Sequence, residues 1–337
     1  MKIFRTMTAA GIDSLQLEEV AMPGALVAGQ IRIGMRAASI NYRDTMAVSG
    51  QLGPAGPDGL IPGSDGAGEV LEIAADVTRF KVGDRVALTF NPDWIGGPWQ
   101  LSAAARGRGS IIAGVMQEEM VVHQNDAVLI PAHLSYEEGA ALPCAGVTAW
   151  HALCGPAPLM PGMSVLLQGA GGVSVLGLQL AKLFGARVIM TSSSPERCAR
   201  LKELGADEVI DYRAEPAWDQ AVRELTGGEG VDVGIDIGGA STIQQTIAST
   251  RRGGRVAVVG LLGGWPESVT SLFSAGVSFD SIKVGSRDDF EMMNRAIAFH
   301  KMKPVIDRSF AFEELPQALH YLKTGKQFGK IVIRISS

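Results

Sequence analysis

Residues 164–181 read SVLLQGAGGVSVLGLQLA and join a short apolar run to a glycine turn and a helical pattern. The apolar run Ser164–Gln168 predicts a buried strand, which glycines break at residues 169–172. Residues 173–184 then carry apolar side chains at helical spacing. A strand, a glycine turn and a helix in this order form the first unit of a dinucleotide-binding fold.

The glycine turn has the pattern GxGxxS, and each of its small residues has a predicted role. Gly169 permits the tight turn, and Gly171 lets the backbone approach a pyrophosphate because it has no Cβ. Gly172 ends the turn and Val173 begins the helix whose unpaired N–H groups would face that phosphate, so both are candidate cofactor contacts. Ser174 stands where a third glycine is usual and is small enough for close helix–strand packing. An ordinary strand–helix turn is the alternative interpretation of such a pattern.

The segments that follow the glycine turn support the cofactor interpretation. Further strands are predicted at 187–191, 208–211, 231–237 and 254–260, with helices at 195–204 and near 218–225 and 242–249. Strands that alternate with helices predict an α/β fold with a doubly wound parallel sheet and right-handed crossovers. This succession makes a dinucleotide site the favoured interpretation.

The N-terminal part of the chain has a different sequence pattern, with short strand-like segments and many glycines. Segments 29–40, 66–74 and 83–90 predict strands of an irregular antiparallel barrel or sandwich. Residues 91–114 form a long Gly/Ala/Pro-rich insertion, and a loop of this length is either functional or mobile. Two interpretations stay open: a flexible surface loop, or a lid in which Trp94 and Trp99 wall a pocket.

Composition argues against several functional classes, namely nucleic-acid-binding, membrane-spanning and disulfide-rich secreted proteins. The net charge of −5 and the lack of a basic cluster argue against a nucleic-acid-binding surface. No apolar run approaches the length of a membrane span, and the N-terminus MKIFRTMTA has no apolar core of a signal peptide. Three scattered cysteines are too few for a disulfide framework. We therefore expect a cytoplasmic protein that acts on a small molecule.

Five motifs in chain order resemble one protein family: PGSDGAGEV (62–70), FKVGDRV (80–86), LPCAGVTAW (142–150), GAGGVS (169–174) and FGKIVIRI (328–335). The whole chain resembles the medium-chain dehydrogenase/reductase superfamily, in particular its zinc-independent quinone-oxidoreductase-like and NAD(P)-dependent alcohol dehydrogenase branch. The resemblance implies a GroES-like catalytic domain over 1–128, completed by 285–337, and a Rossmann domain over 129–284. It also implies a homodimer.

The positions that bind catalytic zinc in related enzymes carry other residues here. The resemblance matches the Cys position to Asn41, the His-Glu pair to Ser64-Asp65 and the second Cys to Cys144. Since a catalytic zinc needs about three protein ligands, one remaining ligand is too few. Residues 91–115 also lack the cysteines of a structural zinc lobe. We expect no metal, and we expect Cys144 to pack as a small apolar side chain.

The end of the second predicted strand indicates which nucleotide is preferred. It runs into Thr191-Ser192-Ser193-Ser194, with no carboxylate to accept from a ribose 2′-hydroxyl, as NAD-binding domains usually have. Ser192 and Ser193 offer hydroxyl donors, and Arg197 offers positive charge for a 2′-phosphate. Tyr212 resembles the tyrosine that NADPH-dependent relatives place against this phosphate. The pattern favours NADPH over NADH.

Other candidate cofactor contacts follow strands at the carboxyl edge of the sheet, where such folds bind ligands. They are Gly260 and Leu261 in GLLGG, and Ser286 and Arg287 after the last strand of the block. Ser286 is equally explained as the cap of the next helix.

With neither metal nor flavin motif, direct hydride transfer from a nicotinamide is the expected reaction. A conjugated acceptor, such as an enone or a quinone, needs less electrophilic help than a ketone but still needs hydrogen-bond donors at its oxygen. Asn41, which resembles the asparagine of quinone oxidoreductases, is the first candidate, followed by Tyr42, Ser64 and Arg43. Thr148 resembles the threonine beside the nicotinamide ring in this family.

Two other functions stay open on the sequence alone. One is a metal-free alcohol or carbonyl dehydrogenase. The other belongs to a different class, a protein that binds NADPH without catalysing a reaction.

Overall fold

The structure, a computed structural model, describes residues 1–6, 11–52, 59–100, 106–155, 157–260, 263–264 and 275–336. Its residues form two compact units, Met1–Val147 with Gly285–Ser337, and Thr148–Val284. The domain boundaries drawn from the sequence stay predictions. In this division, residues 129–147 lie in the first unit, together with the N-terminal strands.

The first unit is rich in β-structure. Its N-terminal elements are β1 (Lys2–Arg5), β2 (Gln16–Glu19), β3 (Gln30–Ile40), α1 (Tyr42–Val48), β4 (Asp65–Ile73), β5 (Arg85–Leu88), β6 (Glu119–His123), β7 (Ala127–Leu129) and α2 (Tyr136–Ala140). A π-helical turn, Leu142–Gly146, follows α2. The three strands predicted in this part of the chain are confirmed as β3, β4 and β5.

The second unit contains a parallel sheet with helices between its strands. Its elements are α3 (Val147–Cys154, whose first residue belongs to the first unit), β8 (Ser164–Gln168), α4 (Gly172–Leu183), β9 (Arg187–Ser192), α5 (Pro195–Glu203), β10 (Glu208–Asp211), α6 (Trp218–Leu225), β11 (Val231–Asp236), α7 (Ile243–Ser249), β12 (Thr250–Val258) and β13 (Ser278–Ser281). The strand order is β10-β9-β8-β11-β12-β13, with every pair parallel. This confirms the predicted Rossmann-type α/β fold.

The chain then returns to the first unit as α8 (Arg287–His300), β14 (Ile306–Ala311), α9 (Leu315–Lys323) and β15 (Lys330–Arg334). The seven-stranded sheet has the order β14-β15-β3-β4-β5-β7, and β6 also pairs with β3. Strand β3 is central because it pairs with β15, β4 and β6, and its apolar residues Ile31, Ile33 and Met35, which share one face, are buried in the core. This is the GroES-like β domain that the motifs predict.

Two strand registers bring distant residues together in the first unit. Antiparallel pairing of β15 with β3 sets Ile331 opposite Ile40. Pairing of β3 with β4 sets Ser39 opposite Asp65. The end of β3, the start of β4 and the start of β15 therefore meet at one place in the sheet.

The described parts of the 91–114 insertion contact the first unit closely. Trp94 is only 3% exposed, and its ring contacts Trp99 edge to face with centroids 4.8 Å apart. The carbonyl of Trp94 accepts a hydrogen bond from the N–H of Arg287 in the first turn of α8. Trp94 is thus a core residue rather than part of a surface loop. Residues 101–105 lie outside the described residues.

None of the helices in the described ranges is long and apolar enough to cross a lipid bilayer.

Candidate active site

The three positions that the sequence compared with zinc ligands lie together in the first unit. Asn41 follows the end of β3, and its Nδ2 is 3.4 Å from Ser64 Oγ. The Ser64 hydroxyl donates to Asp65 Oδ1 at 2.6 Å, and the backbone N–H of Cys144 donates to Asp65 Oδ2 at 3.1 Å. Asp65, which is fully buried, therefore links the other three residues.

Ser64 has a hydrogen-bonding role that the sequence did not suggest. A hydroxyl has one proton to donate, and that of Ser64 goes to Asp65. Its oxygen faces the amide of Asn41, which donates to it. In this arrangement Ser64 supports Asn41, and its predicted contact with a substrate oxygen stays a prediction that would require this proton to be released.

Lys330 belongs to the same cluster and was missed by the sequence analysis. Its Nζ donates to the carbonyl of Ile40 at 3.0 Å and to Asn41 Oδ1 at 2.5 Å, and it lies 3.8 Å from Asp65 Oδ2. The residue is 2% exposed. The sequence did contain a signal, since Lys330 is the first residue of the apolar strand KIVIRI. A lysine that is buried with such a strand needs polar partners, which points to a polar cluster.

The neighbouring helix α1 carries two other candidates with different surroundings. Tyr42, at its first position, is 48% exposed, so its phenol is accessible. The Arg43 guanidinium bonds to Ser110 Oγ at 2.7 Å and to the carbonyl of Arg108 at 3.1 Å. It also pairs with the Asp44 carboxylate at 3.2 Å. Arg43 therefore attaches the end of the insertion to α1, and its predicted contact with a substrate oxygen stays a prediction.

Burial controls the protonation of two side chains near Asn41. It raises the pKa of Asp44 to about 6, against the opposing effect of Arg43, and the nearby Asp65 carboxylate adds to the increase. Burial, followed by the charge of Asp65, raises the pKa of the Cys144 thiol to about 12. Cys144 is consequently a neutral thiol at neutral pH, in agreement with a packing role.

These residues do not fit a zinc ion. Asn41 and Ser64 offer neutral oxygens that are already hydrogen-bonded, so Cys144 is the one good zinc ligand among the three positions, and a catalytic zinc needs about three. The ammonium of Lys330 would repel a divalent cation at the same place. Across the described ranges, no three His, Cys, Asp or Glu side chains are grouped so that they could hold a metal.

The glycine turn of the second unit has room for a ligand. Gly169 has φ of +74°, and its N–H donates to the carbonyl of Thr191 at 2.7 Å, so β8 turns sharply beside the end of β9. Gly171 immediately precedes α4, whose first residues are Gly172 and Val173. Apart from the adjoining residues of the chain, a Cβ built on Gly169 or Gly171 would meet no atom of the described residues within 4 Å. The turn and the free N–H groups of α4 thus fit a dinucleotide pyrophosphate.

Ser174 has a more specific role than small size. It is 1% exposed, and its hydroxyl donates to the carbonyl of Gln168 at 2.5 Å. The bond connects the first turn of α4 to the last residue of β8. A glycine would permit the same close packing but could not make this bond.

The residues predicted to select the nucleotide are neighbours at the ends of β9 and β10. Ser192 ends β9 and is buried, and its Oγ has no hydrogen-bond partner among the described residues. The Ser192 carbonyl accepts from the N–H of Tyr212, whose side chain is 39% exposed. Arg197, in the first turn of α5, donates from Nη1 to Ser193 Oγ at 3.3 Å. Ser193 and Arg197 are therefore in direct contact, and Tyr212 is attached to the end of β9 through its backbone.

The remaining candidates are divided between the units. Thr148 lies in α3 of the second unit and is 4% exposed. Gly260 follows β12, and a Cβ there would lie 2.6 Å from the carbonyl oxygen of Ile237, so only glycine allows this approach. Leu261 lies outside the described residues.

Ser286 and Arg287 lie in the first unit, at the start of α8. The Ser286 hydroxyl bonds with Asp289 in a capping box. Arg287 Nη1 donates to Asn125 Oδ1 at 3.0 Å. These contacts favour structural roles for both residues, and their predicted cofactor contacts stay predictions.

A parallel sheet with an open glycine turn in one unit, and a buried cluster of polar donors in a β-rich unit, together define a two-domain dehydrogenase or reductase. Protein-family comparison agrees. The model described as "Alcohol dehydrogenase GroES-like domain" matches residues 27–132, and the model described as "Zinc-binding dehydrogenase" matches residues 172–298. The chain belongs to the medium-chain dehydrogenase/reductase superfamily of oxidoreductases.

Curated relatives resemble nearly the whole chain. The zinc-type alcohol dehydrogenase-like protein C1773.06c of Schizosaccharomyces pombe is 34% identical over 97% of this chain and 96% of its own length. The 2-methylene-furan-3-one reductase of Solanum lycopersicum is 31% identical over 99% of this chain and 79% of its own length.

Solved structures resemble the chain as well. The putative alcohol dehydrogenase of Sinorhizobium meliloti 1021 is 36% identical, with a TM-score of 0.91 over 99% of both chains. An NAD-dependent alcohol dehydrogenase is 30% identical, with a TM-score of 0.91 over the full length of both chains. A mycobacterial protein in complex with NADPH is 27% identical, with a TM-score of 0.83 over 99% of this chain and 100% of its own.

Proposed function

We propose that the protein is an NADPH-dependent, metal-independent oxidoreductase that transfers a hydride to an activated C=C bond or a quinone. The observation that carries the proposal is the Asn41 amide, whose oxygen is bonded to Lys330 and whose N–H₂ group is held on the other side of the amide. Such a donor suits an oxygen that gains negative charge. The tomato relative, named as a reductase of an enone, supports the same reaction class.

The residues of the first unit would act on the acceptor oxygen. NADPH, when bound, would supply the hydride, which adds to the β-carbon of the acceptor while the electron pair of the C=C bond moves toward the carbonyl oxygen. An N–H of Asn41 would donate to that oxygen and stabilise its charge. Tyr42, with its exposed phenol, is the candidate donor of the final proton. Thr148 would lie beside the nicotinamide ring.

The second unit would hold the nucleotide. Gly169, Gly171 and the N-terminus of α4 would bind the pyrophosphate. The residues that would bind the 2′-phosphate are Ser192, Ser193, Arg197 and Tyr212. Their support is that the end of β9 and the start of α5 carry hydroxyls and an arginine instead of a carboxylate. The relatives support a nicotinamide cofactor of either kind, since their names include both NADPH and NAD.

A second candidate function is a metal-free alcohol or carbonyl dehydrogenase, which the alcohol dehydrogenase names of several relatives favour. Without a metal, the carbonyl oxygen would depend on neutral hydrogen-bond donors such as Asn41 for polarisation. This is a weaker electrophile than zinc, so conjugated acceptors remain the favoured substrates.

We also propose a cytoplasmic homodimer. The resemblance supports the dimer. The strand order is consistent with it, because β13 ends the sheet of the second unit and edge strands can pair with another chain. Sedimentation velocity of the purified protein would test this part, and a monomer at micromolar concentration would contradict it.

The test of function is NADPH oxidation by chelator-treated protein, with a quinone, an enone, an aldehyde and a ketone as acceptors and NADH as the comparison nucleotide. We expect turnover of the quinone or the enone with NADPH preferred. Turnover confined to the aldehyde or ketone would establish the second candidate, and loss of activity on chelation would overturn metal independence. Tight NADPH binding without turnover of any acceptor would favour a non-catalytic binding protein.

A further inference from the structure

Lys330 is a buried charge whose contacts converge on Asn41. It is 2% exposed, at the first position of β15, next to the end of β3. Its ammonium donates to Asn41 Oδ1 and to the Ile40 carbonyl, and it faces the Asp65 carboxylate at 3.8 Å. A lysine is rarely buried without such partners, because its desolvation is costly.

The chemistry of lysine decides which way the Asn41 amide points. An ammonium has three donors and no acceptor, whereas an asparagine side chain has an oxygen that accepts and a nitrogen that donates. Only the oxygen of Asn41 can therefore face Lys330. The N–H₂ group must lie on the other side, where one of its hydrogens points to Ser64 Oγ at 3.4 Å.

The direction of the amide is reinforced by a closed ring of four side chains. Lys330 donates to Asn41, Asn41 donates to Ser64, and Ser64 donates to Asp65 at 2.6 Å. Asp65 closes the ring because its other oxygen faces Lys330. A flipped amide would set N–H₂ against an ammonium and leave a buried oxygen and a buried donor unpaired, each of which is unfavourable.

We propose that Lys330 is the positioning residue of the reaction: it holds the Asn41 amide with an N–H aimed at the acceptor oxygen. Because Oδ1 is bonded to a cation, the amide nitrogen becomes a stronger donor. The donor is also oriented before the substrate binds, which is the condition under which it stabilises charge that develops in the transition state. This role rests on the proposed function.

A purely structural role is the alternative, in which Lys330 only neutralises the buried Asp65. The two roles differ in one measurable respect. If Lys330 acts through Asn41, removal of Lys330 has little effect once the Asn41 amide is absent, because residues that act as a unit are not additive. If Lys330 only neutralises Asp65, the two substitutions act independently on kcat.

The kinetic test is a double-mutant cycle of Lys330→Met and Asn41→Ala, measured as kcat and KM for an enone with saturating NADPH. We expect Lys330→Met alone to lower kcat about 10- to 100-fold, since it misdirects one preorganised donor. In the Asn41→Ala background, it should lower kcat less than about two-fold further. Lys330→Arg should recover part of the rate. The exposed Lys326→Met is the matched control and should not change kcat.

One further variant guards against misfolding. Lys330→Met with Asp65→Asn removes both charges and leaves no unpaired carboxylate, so it replaces the single variant if that one does not fold. NADPH affinity should be unchanged in every variant, because the residues proposed to bind the pyrophosphate and the 2′-phosphate lie in the second unit. Equal fold-losses from Lys330→Met in the presence and absence of Asn41 would overturn the positioning role.

A readout that needs no turnover separates this role from the proposed function. In protein labelled with ¹⁵N-asparagine, Asn41→Ala identifies the side-chain amide signal of Asn41. In the wild type we expect two well-separated N–H resonances, because one hydrogen faces Ser64, and in Lys330→Met they should move toward free-asparagine values. Unchanged resonances would overturn the positioning role even if the enzyme reduces enones. If Lys330→Met shifts both resonances toward free-asparagine values but the wild type reduces no conjugated acceptor, the proposed function is overturned. The conclusion that Lys330 orients the Asn41 amide is then retained.

Discussion

Substitution of Arg197 by alanine tests the proposed choice of NADPH over NADH. Arg197 lies in the first turn of α5, and its guanidinium reaches Ser193 Oγ at 3.3 Å, next to the end of β9. A 2′-phosphate bound there would accept a charge-assisted hydrogen bond from this guanidinium. NADH has a hydroxyl at the same position, so its binding affinity would fall far less when the guanidinium is removed.

The magnitude follows from the partial exposure of Arg197. A hydrogen bond to a charged group contributes about 1.5–3 kcal/mol when it is buried, and solvent screening reduces this to about 1–1.5 kcal/mol at a half-exposed site. We therefore expect Arg197→Ala to weaken NADPH binding about 5- to 15-fold and NADH binding less than about two-fold.

The assay is the Kd of each nucleotide, from isothermal titration calorimetry of the wild type and the variant. Arg200→Ala is the matched control, because Arg200 lies on the same helix and is exposed, so it removes the same charge from the same element. Both substitutions should leave the melting temperature nearly unchanged. An equal loss of NADPH and NADH affinity in Arg197→Ala, or the same NADPH loss in Arg200→Ala, would refute a specific phosphate contact.

Three further predictions concern the first unit. Asn41→Asp keeps an oxygen toward Lys330 but removes the N–H₂ group, so kcat for an enone should fall about 100-fold or more; an unchanged kcat, measured at saturating NADPH, would exclude Asn41 as the donor. The pKa of Asp44 is about 6 in the folded protein and 3.8 in the unfolded chain. Because folding favours the protonated form, Asp44 contributes free energy of unfolding that is fully present below pH 3.8. This contribution is lost as the pH rises through 6, by about 1.4 kcal/mol per unit of pKa difference. Urea unfolding from pH 4 to 7 should therefore show a smaller fall in the free energy of unfolding for Asp44→Asn, and identical pH slopes would contradict the raised pKa. Because burial raises the pKa of Cys144 to about 12, iodoacetamide at pH 8 should leave it unmodified in the native protein and modify it in urea. Rapid native labelling at Cys144, detected by peptide mass spectrometry, is the contrary outcome.

The Rossmann-type unit was accessible to sequence reasoning because its signals are local. In SVLLQGAGGVSVLGLQLA, the strand, the turn and the helix each depend on side chains within a few residues of one another. The turn at Gly169 needs a positive φ, and glycine is the residue type that adopts positive φ without strain. For the same reason, the hydroxyls after β9 and the nearby Arg197 could be predicted from the sequence as candidate contacts of a 2′-phosphate.

The candidate site of the first unit was only partly accessible. The resemblance indicated Asn41, Ser64 and Cys144, but not what each side chain does. Ser64 donates to Asp65, and Arg43 bonds to Ser110 and the Arg108 carbonyl. Hydrogen-bond direction depends on partners that are distant along the chain, so residue type alone could not show that the Ser64 proton and the Arg43 guanidinium are already engaged.

The sequence by itself determined the α/β and β-rich units and the glycine turn, because these follow from local periodicity and residue chemistry. Only the tertiary structure decided the orientation of the Asn41 amide. Lys330 lies 289 positions from Asn41, and the two meet because β15 pairs with β3 in one register. Strand register is set by the packing of the whole sheet, and a shift by one residue would turn Lys330 to the opposite face. No local pattern in the chain carries that information.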